Sequence, residues 1–288
     1  MDFGVFKAAM FDFDGTVTEK GQYEPPLRLR NALVELSQKM PLGFCTGRQW
    51  ESFERHGLAE LLKGIDSERK KTFLENLFLF AENGAIGYEF DAEARKFGEF
   101  YRVEWPKELV DREYLQKTLS EAIKDYGQVY DNAHRVVVVM RTNLHDVVDR
   151  KVEDVYDLSE KIYEVFLKIL RKISADFEEF VHVGNSGIGV IIGPKDGDKD
   201  EAIRRFGEYL GKKRNIKFDD GFRNILVAGD SPQPGGNDYY FLSGKYGTPF
   251  NVSDGDVYNG FLKPVLGAKG ERLVHSKGSL YLVKKLLK

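Results

Sequence analysis

Four short apolar runs set the framework of this 288-residue chain: Val5 to Phe13, Pro41 to Cys45, Leu77 to Ala81 and Asn224 to Ala228. Each runs into an acid or a glycine within two residues, as buried parallel strands do where they leave a sheet. Between the first two, Leu27, Leu29, Ala32, Leu33 and Leu36 stand amid polar neighbours just after Pro25 and Pro26, a pattern compatible with a crossover helix. Strand, helix and strand make a βαβ unit. The expected fold class is therefore α/β, a Rossmann-like parallel sheet covered on both faces, with ligands held outside the carboxyl ends of the strands.

The middle of the chain reads differently. Arg135 to Met140 is a β-branched run, and Phe180 to Val183 with Ile188 to Ile192 forms a hairpin pattern around Asn185, Ser186 and Gly187. Asp111 to Tyr126 and Asp146 to Lys172 carry apolar residues at helical spacing, among them Val155, Leu158, Ile162, Val165, Phe166, Ile169 and Leu170. These segments predict a smaller α/β domain over residues 86–189, inserted into a larger one made of 1–85 and 190–288. Gly278 to Lys288 reads as a short amphipathic terminal helix, and Asp254 to Gly270 as a glycine-rich loop at the core edge.

Composition narrows the function classes. With 43 basic and 46 acidic residues there is no field to favour nucleic acid or an anionic membrane, so neither is an expected partner. No run approaches the ~20 apolar residues of a membrane span. Met1 to Met10 has charges at Asp2 and Lys7 and lacks the pattern of a secretory signal. Cys45 is the only cysteine, which excludes an intrachain disulfide or a multi-thiolate zinc site. The expected compartment is the cytoplasm, and the expected assembly a monomer or homodimer.

The densest chemical signal is Phe11-Asp12-Phe13-Asp14-Gly15-Thr16, an apolar strand ending in two carboxylates two positions apart. Alternation along a strand puts both on one side. An ionised carboxylate at Asp12 can attack phosphorus without a separate base, with Asp14 beside it as the acid/base. After the second strand, Thr46, Gly47 and Arg48 offer a hydroxyl and unhindered backbone N–H groups for an anion. After the fourth come Gly229-Asp230 and then Asn237-Asp238, oxygen donors suited to a hard divalent cation, Mg²⁺ being the expected one. Lys199, just before a predicted helix, is the candidate fixed positive charge. Read singly, each has a plainer explanation: an Asp turn, a capping threonine, a surface arginine or lysine.

Together, and in this order, these residues resemble the four motifs of the haloacid dehalogenase superfamily of phosphotransferases. The resemblance implies an aspartyl-phosphate on Asp12, acid/base work by Asp14, phosphate binding by Thr46, and a tether at Lys199. It also implies Mg²⁺ bound by Asp12, the backbone of Asp14, and Asp230, with Asn237 and Asp238 supporting the metal. The insertion is similar to the large α/β cap of the Cof-like, sugar-phosphatase and phosphomannomutase branches, and Glu82-Asn83-Gly84 resembles a triplet at its entrance. Gly47, Arg48 and Asn83, with Arg135 and Arg141 on the cap, are the expected substrate-binding residues. The implied reaction is hydrolysis of a small phosphorylated metabolite, a sugar phosphate or a related polyol or glycerate phosphate. The long loop from Asp230 to Asp238 resembles that of the mutases, so a phosphomutase is the alternative. A non-catalytic phosphosugar-binding protein is the third reading.

Overall fold

The computed structural model describes residues 2–130, 135–144, 147, 149–255 and 262–288. An eight-stranded sheet runs in the order β12-β11-β10-β1-β2-β3-β4-β5. Its strands are β1 (Ala8–Asp12), β2 (Leu42–Cys45), β3 (Leu77–Ala81), β4 (Ile86–Asp91), β5 (Lys96–Arg102), β10 (Ile225–Gly229), β11 (Thr248–Asn251) and β12 (Lys263–Pro264). All neighbours are parallel except β3 with β4 and β4 with β5. The four apolar runs supply β1, β2, β3 and β10, buried along their whole length as a sheet covered on both faces requires.

Strand alternation divides β1 between two cores. Ala9, Phe11 and Phe13 enter the larger one, with Leu29, Leu33 and Leu36 of helix α1 (Leu27–Ser37). Ala8 and Met10 enter the other with Ala202, Ile203, Phe206 and Leu210, which belong to a later helix, Lys199–Arg214. Asp12 follows Ala8 and Met10 in that alternation and comes out on the face where the later helix begins.

A second sheet is antiparallel, in the order β6-β7-β9-β8, from β6 (Gly127–Tyr130), β7 (Val138–Thr142), β8 (Val181–Asn185) and β9 (Gly189–Pro194). After helix α2 (Ser67–Glu75), the helices α3 (Arg112–Ile123) and α4 (Val152–Ile173) cover one face, burying Leu115, Leu119, Ile162 and Phe166 against Val138 and Met140. Asp111 caps α3 by accepting from the N–H groups of Glu113 and Tyr114. The chain then enters α5 (Lys199–Arg214) and ends in α6 (His275–Leu286), which packs on α1.

Two sequence expectations are corrected here. The insertion does not begin at residue 86, because β4 and β5 extend the first sheet as an antiparallel edge. It does not end at 189 either, since β9 stays in the second sheet to Pro194. Alternation alone could not show this: half-buried strands look the same whichever sheet they join. The run from Arg135 also enters its strand only at Val138, and Asp146, expected to open α4, lies outside the described residues. No helix among the described residues is long and apolar enough to cross a membrane.

Candidate active site

Lys199 is fully buried at the start of α5, and its ammonium binds Asp12 Oδ1 at 2.7 Å and Asp238 Oδ1 at 2.6 Å. Burial alone would depress this lysine, but Asp12 and Asp238 more than reverse that and hold it charged. Asp238 Oδ2 accepts from the backbone N–H groups of Asp230 and Ser231, so one carboxylate ties the lysine to the turn after β10. Asp230 in turn accepts from Thr16 Oγ1 at 3.3 Å. Gly15 sits so close that a Cβ there would lie 2.4 Å from Asp230 Oδ2, and its φ of +77° suits glycine.

Carboxylate oxygens of Asp12, Asp230 and Asp238 fall within 4.8 Å of one another. Burial pushes the Asp12 carboxyl well above its usual range, with Asp238, Asp230 and Asp14 adding to the rise and Lys199 opposing it. Burial and Asp238 raise Asp230 to about 7, against Lys199, Lys20 and the Thr16 hydrogen bond. One lysine does not balance this group. An all-oxygen, self-repelling donor set fits a hard divalent cation, so the residues present suit Mg²⁺.

Thr46 is buried one residue beyond Cys45, which pairs with Asp12 in the sheet, so the hydroxyl stands beside the carboxylate cluster. Its Oγ1 accepts from the N–H of Arg48. A Cβ on Gly47 would lie 2.7 Å from Ile191 of β9, which shows how closely the second sheet approaches this loop.

Asp14 departs from expectation. β1 ends at Asp12, so alternation no longer governs Asp14, whose side chain is 48% exposed and turned to Arg48. Arg48 Nε donates to Asp14 Oδ2 at 2.8 Å and Nη2 donates to Oδ1, while the guanidinium lies over the rings of Tyr23 and Phe13. Arg48 is thus a clamp on Asp14 rather than an open anion site. Asn237 is corrected as well: its Oδ1 accepts from Asn83 Nδ2 at 2.8 Å, joining the two asparagines at the seam between the sheets. Gly184 of β8 lies against that pair.

Of the cap arginines, Arg141 lies 4.4 Å from the centroid of Tyr130. Arg135 is half-buried beside Glu82, and burial, with Arg141 and Arg112 nearby, pushes it below its ordinary value against the pull of Glu82. Neither reaches the carboxylate cluster through any described bond.

Neither a protein-family model nor a curated protein matches the chain in sequence; the likeness is structural. An IMP-nucleotidase from Plasmodium falciparum superposes with a TM-score of 0.61 at 16% identity, covering 98% of this chain and 70% of that one. The C-terminal domain of a Candida albicans (C. albicans) trehalose-6-phosphate phosphatase gives 0.61 at 17%, covering 98% and 92%. The Aspergillus fumigatus trehalose-6-phosphate phosphatase gives 0.52 at 14%, also covering 98% and 92%. The fold is that of the haloacid dehalogenase-type phosphatases.

Within this haloacid dehalogenase fold, two residues escaped the sequence reading. Glu82 is buried at the hinge with a φ of +53°, rare for a residue with a long side chain. Its Oε2 accepts from the N–H groups of Val136 and Val137, latching the second sheet to the first. Glu82→Ala is expected to cost about 2 kcal/mol by stranding those N–H groups, and Glu82→Gln, which keeps an acceptor, less than about 1 kcal/mol, read by urea denaturation. Lys20 lies 5.3 Å from the ring centroid of Tyr156 on α4. Partial burial would lower it, but Tyr156, Asp254 and Asp230 raise it. No local pattern marks Lys20, because its neighbours come from distant segments.

Proposed function

We propose that the chain is a Mg²⁺-dependent phosphomonoester hydrolase working through an aspartyl-phosphate on Asp12. The observation that supports this most is the buried Lys199 ammonium joining Asp12 to Asp238 at the carboxyl end of the central strand. Lys199 occupies Asp12 Oδ1 and orients the carboxylate, leaving Oδ2 outside that ion pair for attack on phosphorus. A Mg²⁺ ion held by Asp12 and Asp230 would neutralise the clustered negative charge and polarise the phosphoryl oxygens.

Thr46 is placed to take a phosphoryl oxygen. Asp14 would protonate the leaving oxygen and later remove a proton from the water that hydrolyses the aspartyl-phosphate. Both of its oxygens are engaged by Arg48, so it must be released first; a substrate anion competing for the guanidinium provides a route. The second sheet, with Ile191 over Gly47 and Arg141 on Tyr130, would enclose a small substrate and restrict water. We infer a sugar or polyol phosphate as the substrate class, and the cytoplasm as the location, since the only cysteine, Cys45, is buried and unpaired.

Phosphate release with Mg²⁺ across a panel that includes trehalose 6-phosphate, IMP, hexose phosphates and phosphoglycerates tests this reading. Release from at least one, lost with chelator, is expected. Conversion of a hexose 1-phosphate to its 6-phosphate isomer without release would replace the hydrolase by a mutase.

A further inference from the structure

At the joint between the sheets, His182 of β8 and Asp198, which precedes Lys199, meet without a proton assigned between them. His182 Nε2 lies 2.9 Å from the Lys195 carbonyl oxygen. A carbonyl only accepts, so Nε2 carries the hydrogen, and in the neutral ring the lone pair falls on Nδ1. Nδ1 faces Asp198 Oδ2 at 3.3 Å. Asp198 is only 6% exposed; its Oδ1 accepts from the Lys199 N–H, while Oδ2 receives no hydrogen bond among the described residues. Asp200, 4% exposed, brings a third ligand atom, and all three lie within 4.8 Å of one another.

Two lone pairs turned toward each other need a positive centre between them. The spacing exceeds a charge-assisted N–H to oxygen bond of ~2.8 Å. It matches the ~3.4 Å edge between two ligands each ~2.1 Å from a tetrahedral ion. The His182 N–H on a backbone carbonyl is the outer contact that fixes a metal-binding imidazole. His182 and Asp198 also line a cavity with Asn83, Gly184, Asn237 and Tyr240, which leaves room for water as a further ligand.

We propose that His182, Asp198 and Asp200 form a second divalent-cation site, of the Zn²⁺ or Co²⁺ class, separate from the Asp12 cluster. A nitrogen ligand and a compact donor set favour such an ion over Mg²⁺. Burial raises Asp198 to about 6, a cost that a bound ion relieves. Asp200 Oδ2 also lies 3.0 Å from Lys245, which keeps Glu201 at 2.8 Å as a second partner when Asp200 turns to the ion. The ion would tie the cap hairpin to the first turn of α5, next to the buried lysine.

The test counts Zn²⁺ on the full chain by atomic emission, after chelator stripping and dialysis against limiting ZnCl₂ in excess MgCl₂. About one Zn²⁺ per chain is expected, kept by Asp230→Asn and reduced to less than about a tenth in His182→Gln and Asp198→Asn. Co²⁺ on the wild-type chain should show the intense visible bands of a four-coordinate ion. No retained Zn²⁺, retention by His182→Gln, loss in Asp230→Asn, or a weak six-coordinate Co²⁺ spectrum overturns the site. The first of these leaves a proton between His182 and Asp198. Stoichiometry and spectrum are read on the wild type, so misfolding of a variant does not blur the answer.

Discussion

Asp12→Asn should lower phosphate release from every accepted monoester by about 10⁴-fold or more, the scale on which loss of a covalent nucleophile is read. The fold should survive, because an amide oxygen can still accept from Lys199 and the site no longer holds a carboxylate that burial disfavours. Thermal melting therefore should not fall along with activity. Rapid acid quench with a ³²P-monoester should trap label on wild-type protein and none on the variant. If turnover persisted in Asp12→Asn, the nucleophile would lie elsewhere and the whole mechanism would go with it.

The second large effect concerns stability. Asp230 stands at about 7 in the folded chain against an ordinary 3.8. Between those values the folded state holds more protons than the unfolded one. Stability contributed there is present at acid pH, falls as pH climbs through this window, and levels off above about pH 7. Asp230→Asn removes that penalty. In chelator near pH 8 the variant should be roughly 2 to 4 kcal/mol more stable than wild type, with the gain gone below about pH 4. Mg²⁺ should raise the wild-type melting temperature and leave the variant where it was, since a ligand stabilises only the state that binds it. Equal Mg²⁺ stabilisation of both would remove Asp230 from the metal site.

Much of the core was legible because parallel strands advertise themselves. The runs ending at Asp12, Cys45, Ala81 and Ala228 are apolar on both faces, and only a doubly covered sheet asks for that. What followed those strands placed Lys199, Asp230 and Asp238 near Asp12. The limits of the reading are equally physical. Strand periodicity stops where the strand stops, so it could not send Asp14 to Arg48. The half-buried alternation of β4 and β5 says nothing about which sheet they join. Asn83 with Asn237, Glu82 with Val136, and His182 with Asp198 are pairings between segments at least 16 residues apart, and no local pattern announces them.

The Asn185 N–H donates to Gly235 O at 2.8 Å, and Asn185 bridges Gly236 as a short extra rung beyond β8. Gly235 and Gly236 belong to the same loop that carries Asp238 and, through it, steadies Lys199. A swing of the upper lobe thus cannot leave the floor of the catalytic chamber untouched. Each opening tugs on the segment that keeps the ammonium in register, so admission of a ligand and the readiness of the nucleophile are geared to one another by the backbone itself.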